Sequence, residues 1–167
     1  MRIRKYAAID IGSNAVRLLI SNVIESKQQT QFFKNSLVRV PIRLGEDSFT
    51  SGKISNRNIN RLLESIQSFK ILMNVHGVEN YLAYATSALR DAKNSHLIIN
   101  EIINKTGIKI EIINGKREAK IISKTDVFQS IDIDKTYLYV DVGGGSTEFS
   151  VIYGGKTIDS ISFKIGT

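Results

Sequence analysis

The chain contains no cysteine and no tryptophan, and only one proline and two histidines, among 167 residues. Without cysteine it can build neither a disulfide nor a thiolate metal centre. That fits a reducing compartment, and a cytoplasmic protein is expected. His76 and His96 each lack a second ligand at metal spacing, so no histidine metal site is expected. No apolar run approaches the roughly 20 residues of a membrane helix. The basic residues 1–5 lead to Asp10 rather than to a small-residue cleavage site, so no signal peptide is expected either. Pro41 suits the end of a strand better than its centre.

Apolar residues make up 42% of the chain, enough for a globular core. The formal net charge is +7. Such a surplus raises the local concentration of polyanions and speeds their encounter. Nucleic acid, an anionic membrane and polyphosphate would all benefit. No block of lysine and arginine is dense enough for a nucleic-acid tail, and neither nucleic acid nor membrane is the expected partner.

Hydrophobic periodicity orders the elements. Residues 6–10 form a short apolar run closed by an acid, as in a buried strand. Residues 16–24 and 31–42 follow as strands, completing a three-strand antiparallel meander. Ser55 then caps a helix in which Ile59, Leu62, Leu63, Ile66, Phe69 and Met73 recur at helical spacing, and Gly77 stops it. Residues 81–84 read as a strand. Ser95 caps a second helix, with Ile98, Ile99, Ile102 and Ile103 on one face and Gly107 beyond it. Residues 108–113 read as a strand, 118–127 as a helix, 136–140 as a buried strand, and 147–153 and 156–163 as strands. Between the last two, Gly154-Gly155 is a two-residue hairpin signal. A meander followed by alternating strands and helices is α/β with a mixed sheet.

Two segments repeat one design. Ala8-Ile9-Asp10-Ile11-Gly12-Ser13-Asn14 opens the chain, and Val140-Asp141-Val142-Gly143-Gly144-Gly145-Ser146-Thr147 lies near its end. Each is an apolar strand, an Asp, an apolar residue, a glycine turn with polar side chains, then another strand. Glycine turns let backbone N–H groups converge on an anion, phosphate above all. The Asp repels phosphate directly, but it can hold a metal ion or position a water. Neither turn is a P-loop or a dinucleotide fingerprint. Either alone could be an ordinary hairpin, whereas three consecutive glycines cost too much backbone entropy for a casual turn.

Other residues carry candidate chemistry. Glu118, in Asn114-Gly115-Lys116-Arg117-Glu118-Ala119, is either a first-turn acid complementing a helix dipole or a general base. Glu148 is either an outward strand residue or an acid near a metal. In Ala85-Thr86-Ser87-Ala88-Leu89-Arg90-Asp91-Ala92 the hydroxyls can donate to an anion, and the Arg90 fork matches phosphate oxygens.

These segments, with Val16-Arg17-Leu18-Leu19-Ile20, Val38-Arg39, Arg43-Leu44-Gly45-Glu46 and Ile113-Asn114-Gly115, resemble the exopolyphosphatase/guanosine pentaphosphate phosphatase (Ppx/GppA) family. That family lies within the actin-like, sugar-kinase and heat-shock ATPase superfamily. The resemblance runs in order along essentially the whole chain. It implies a ribonuclease-H-like domain with a mixed five-stranded sheet over residues 1–167. This would be the N-terminal half of a two-domain enzyme whose second domain is absent from the chain. It implies release of the terminal phosphate of polyphosphate or guanosine pentaphosphate by water, with Mg2+ as cofactor. By motif position Glu118 matches the base, and Asp141 and Glu148 match the acids that hold the metal. Asp10, Gly12, Ser13 and Asn14 match the first phosphate loop. Gly143, Gly144, Gly145, Ser146 and Thr147 match the second, and Arg90 matches a phosphate-contacting arginine.

One departure is that Lys116 and Arg117 stand where many members carry further acids. Nearby cations would favour the charged form of Glu118, and a less negative loop would suit a longer polyanion. Other readings remain open: a two-metal nuclease using Asp10, Glu118, Asp141 and Glu148, a kinase of the same superfamily, or a non-catalytic guanosine polyphosphate sensor. The isolated chain is expected to turn over weakly or not at all without its own C-terminal domain. Apolar surface exposed by that absence would favour a homodimer.

Overall fold

The structure, a computed structural model, describes residues 2–25, 30–122, 132–163 and 165–166. It divides into two compact units, residues 1–112 and 113–167.

In the first unit β1 (Arg2–Ile11), β2 (Val16–Glu25) and β3 (Thr30–Val40) form the antiparallel meander. β4 (Asn80–Ala85) and β5 (Glu111–Ile112) join parallel to β1, giving the mixed order β3-β2-β1-β4-β5. Parallel neighbours need crossover connections. These are α1 (Leu44–Ser51) with α2 (Asn56–His76), then α3 (Ser87–Asp91) with α4 (Ser95–Thr106).

Side chains alternate along the first two strands. Ala7, Ile9 and Ile11 of β1 and Val16, Leu18 and Ile20 of β2 are buried. They share one cluster with Leu62, Leu63, Ile66, Phe69 and Met73 of α2 and Ile98 and Ile102 of α4. Truncating a fully buried member such as Ile66 to alanine would cost about 2–5 kcal/mol. Asp10, on the opposite face of β1, is half-buried.

The long helix is bounded as its sequence dictates. The Ser55 side chain accepts from the Asn58 N–H at 3.3 Å. At the other end Gly77 is left-handed (φ 68°), the Gly77 N–H donates to Asn74 O and the Val78 N–H to Met73 O. This is the Schellman closure that glycine permits. At α4 the cap position is Asn94, not Ser95, which is already helical and buried. The Asn94 side chain does not cap. It pairs with both backbone groups of Ile54, accepting at 3.0 Å and donating at 2.9 Å.

Several elements differ from expectation. The strand expected over 108–113 reduces to Glu111–Ile112, because only these residues find partners on β4. Helices α1 and α3 fall in segments to which periodicity assigns no element. Pro41 follows the end of β3, as expected.

The second unit carries α5 (Gly115–Ile122) and a separate three-stranded antiparallel sheet, β6-β7-β8, formed by Tyr137–Val142, Thr147–Tyr153 and Lys156–Phe163. The helix expected over 118–127 starts three residues earlier, and 123–127 lie outside the described residues. Asn114 caps α5 by accepting from the Arg117 N–H at 2.9 Å. Gly154 and Gly155 both have positive φ, 60° and 69°, the two-residue turn that matches strand twist. β6 is not the buried strand expected. Leu138, Val140 and Val142 are exposed along one face, since among the described residues nothing covers them.

Candidate functional site

The two glycine turns share one backbone construction. In the first, Ile11 pairs with Val16 and the Gly12 N–H donates to Ala15 O at 3.1 Å. In the second, Val142 pairs with Thr147 and the Gly143 N–H donates to Ser146 O at 2.8 Å. A Cβ on Gly12 or on Gly143 would approach the accepting carbonyl to 3.2 Å, the same tight distance in both. The sequence repeat is thus a structural one. Each leading glycine uses its own N–H to close the turn, so anion contact would fall to the amides after it.

The residues facing across the turns differ. Asp10 is the cross-strand partner of Arg17, and the two form an ion pair at 2.9 Å. At the equivalent register of the second turn Asp141 faces Glu148. Glu148 accepts from the Ser162 hydroxyl at 2.9 Å. Tyr139, two residues before Asp141 on the same face, has its phenol pKa raised by burial and by the Asp141 charge. Directly opposed like charges destabilise an antiparallel pair, and their Cβ atoms stand about 5 Å apart. Two carboxylates so placed form an oxygen donor set suited to a hard divalent cation. Among the described residues no group of three or more His, Cys, Asp or Glu side chains converges for a metal. A cation here would complete its shell with water.

The first turn is tied to its unit by short contacts. Ser13 and Ser87, both buried, share a hydroxyl hydrogen bond of 2.7 Å. The Gly45 N–H donates to Ser13 O and the Arg43 N–H to Asn14 O. Gly45 suits this close approach, because a Cβ would lie 3.0 Å from Ser13 Cβ and 2.8 Å from the Phe49 ring, and both would have to give way. The Thr86 N–H donates to Ile11 O, fixing the start of α3 beside β1. Arg43, with φ 61°, is the one non-glycine among the described residues with positive φ. Arg61 braces the chain before it by donating to the carbonyls of Pro41 and Ile42. The Asp47 carboxylate accepts from Ser55 N–H, Ser55 hydroxyl and Asn58 amide. Burial pushes its pKa up, but these bonds outweigh burial and hold it below the ordinary value.

The expected site residues therefore fall in two groups. Asp10, Gly12, Ser13, Asn14 and Arg90 belong to the first unit; Glu118, Asp141, Gly143, Gly144, Gly145, Ser146, Thr147 and Glu148 belong to the second. Arg90 closes α3, half-buried, its guanidinium 4.0 Å from Asp91. Glu118 is half-buried in the first turn of α5, beside exposed Lys116 and Arg117. Two hydroxyls expected to face an anion are engaged within the protein: Ser13 on Ser87, and Thr147, which donates to Ile165 O at 2.6 Å. Gly166 follows so closely over the second turn that a Cβ there would clash with the backbone of Gly144 and Gly145.

Sequence reasoning passed over Arg17 and the bracing role of Arg61. Arg17 had a signal, since it occupies the place in the first repeat that Glu148 takes in the second. Arg61 had none, for the backbone carbonyls it braces lie about twenty residues away in sequence.

Fold and turns together define an α/β protein that uses one glycine turn twice, each followed by a different facing charge. The profile of the Ppx/GppA phosphatase family matches residues 23–167, and the chain belongs to that family. Among curated relatives, the bifunctional 3-dehydroquinate synthase/phosphatase of Fusobacterium nucleatum is 35% identical over 166 residues, spanning 96% of this chain and 25% of that protein. Exopolyphosphatase 1 of Mycobacterium tuberculosis is 29% identical over 153 residues, spanning 87% of this chain and 42% of that protein. The crystal structure of an exopolyphosphatase from Cytophaga hutchinsonii superimposes with a TM-score of 0.87 at 28% identity, over 98% of this chain and 51% of that one. The chain thus spans a quarter to about half the length of these relatives.

Proposed function

We propose that the protein hydrolyses terminal phosphoanhydride bonds of inorganic polyphosphate or guanosine pentaphosphate. The observation that carries this is the opposed pair Asp141–Glu148 at the mouth of the triple-glycine turn, in a chain of a phosphatase family. The exopolyphosphatase relatives support the substrate class.

Phosphoryl transfer asks mainly for positioning and charge neutralisation. In this reading the amides after the leading glycine of each turn bind phosphate oxygens, and the Arg90 fork suits phosphate oxygens as well. Asp141 and Glu148 would hold magnesium, which supplies neutralisation of the charge that develops on the phosphate oxygens. Glu118 accepts a proton from the water that attacks the terminal phosphorus. The bridging P–O bond breaks, and the shortened chain and inorganic phosphate leave. The chain acts together with further polypeptide of the length its relatives possess, in a cytoplasm that suits its lack of cysteine.

The test is phosphate release by the full-length protein from long-chain polyphosphate and from guanosine pentaphosphate, with and without magnesium. Glu118→Gln should lose about 10²–10⁴-fold in rate. Release at the parental rate refutes the base; tight binding with no release from either substrate points to a sensor.

A further inference from the structure

Arg39 on β3 is the direct cross-strand partner of Arg17 on β2, which in turn faces Asp10 on β1. Cross-strand partners share a face, so the three lie in one row on the side of the sheet opposite the core. The row carries two guanidinium groups and one carboxylate. Arg17 takes the carboxylate at 2.9 Å. The Arg39 side chain is exposed, and among the described residues it has no hydrogen-bond or ion-pair partner. Like charges set directly opposite cost stability, and nothing in the row repays that cost for Arg39.

Four residues on, Arg43 borders the same turn through its N–H bond to Asn14 O at 3.0 Å. Its left-handed backbone would be adopted more cheaply by glycine or asparagine. It is held by the Asn14 contact and by Arg61 on Pro41 and Ile42. Its side chain is two-thirds exposed, and its pairing with Glu46 at 3.2 Å is equally open to water. Such a pair is weak and readily exchanged for a stronger anion.

We propose that Arg39 and Arg43 extend the first glycine turn into a track for the inner phosphates of a linear polyphosphate. Strands lie about 4.8 Å apart, so the Arg39 backbone is about 10 Å from that of Asp10. A ligand spanning turn and track therefore carries several phosphates in series. Arginine forks suit phosphate oxygens, and the track needs no base-stacking platform, unlike a site for single-stranded nucleic acid. The proposal rests on the phosphatase reading for which end of the chain is cut, but not for binding itself.

The test is equilibrium binding of long-chain polyphosphate, tripolyphosphate and a single-stranded DNA oligomer by the full-length protein. Parent, Arg39→Gln and Arg43→Gln are compared. Each substitution should weaken long-chain binding about three- to fivefold, the upper part of the range of an exposed charge pair. Tripolyphosphate binding and the thermal midpoint should not move, and Arg39→Lys should retain most of the affinity. Unchanged long-chain binding in both variants overturns the track. So does an equal loss for tripolyphosphate, which would indicate only a general field, or equal affinity for the DNA oligomer. A parent that binds long chains but releases no phosphate defeats the phosphatase reading and leaves the comparison of variants in force. A parent that binds no polyphosphate defeats the track.

Discussion

Asp141 and Glu148 stand directly opposite one another on β6 and β7, two acids at a position where the first repeat places an acid against a base. Such opposition costs about 0.2–1 kcal/mol. Glu148→Gln should therefore raise the thermal midpoint in the absence of divalent cations, by about 1–4 °C for a chain of this size. Magnesium should raise the midpoint of the parent by linkage and leave that of the variant unchanged. Scanning calorimetry of both proteins with and without magnesium reads this. Equal magnesium responses would remove the pair from the metal site.

Tyr139 reports on the same pair. Its phenol pKa is raised by burial first and by the Asp141 charge second. Asp141→Asn should bring it partway back, with the burial contribution remaining, as followed by ultraviolet absorbance of the phenolate. The linked stability is fully present below the ordinary tyrosine pKa of about 10 and is lost as pH rises through the raised value. An unmoved titration in Asp141→Asn would show that the charge does not reach the ring.

Asp47 behaves in the opposite sense. Its pKa is depressed, so the stability it contributes is present above the ordinary carboxylate value, about 3.9, and is lost as pH falls through the lower folded value. Asp47→Asn keeps the shape and discards the charge. At neutral pH the variant should melt below the parent, and the difference should vanish in acid. A constant difference across pH would place the contribution in packing.

The Ser13–Ser87 bond lends itself to a double-mutant cycle. Ser87→Ala strands a buried hydroxyl and should cost about 1–3 kcal/mol. Adding Ser13→Ala should cost little more, because both partners are then gone. Denaturant melts of the four proteins measure the coupling; strictly additive losses would mean that the hydroxyls act separately.

Much of the first unit was legible in its residues because local and global signals agree there. Ser55, the apolar spacing from Ile59 to Met73 and Gly77 specify α2 end to end; in the second unit Gly154-Gly155 likewise specifies its hairpin. Helices α1 and α3 were hidden by brevity: α3 has five residues, and α1 has eight and follows an arginine whose left-handed backbone no propensity announces. β5 was overextended because isoleucines 108, 110 and 113 are buried outside any ladder, and burial alone mimics a strand. The Asp10–Arg17 pair depends on hairpin register, which is fixed only once Ile11 is known to oppose Val16. Periodicity likewise says that residues 137–163 are strands but not that they pair in a sheet of their own.

The repeated turn has a consequence for anyone who would engineer this chain. As backbone, the segments around Gly12 and Gly143 are interchangeable parts, with the same loop length and the same closing bond. As electrostatic components they differ, a compensated acid–base pair in one and two acids in the other, and the label that distinguishes them is one residue seven positions past each Asp: Arg17 in one, Glu148 in the other. A graft of either loop would carry over shape and leave its sign behind. Transferring function between the copies requires moving the strand that follows as well.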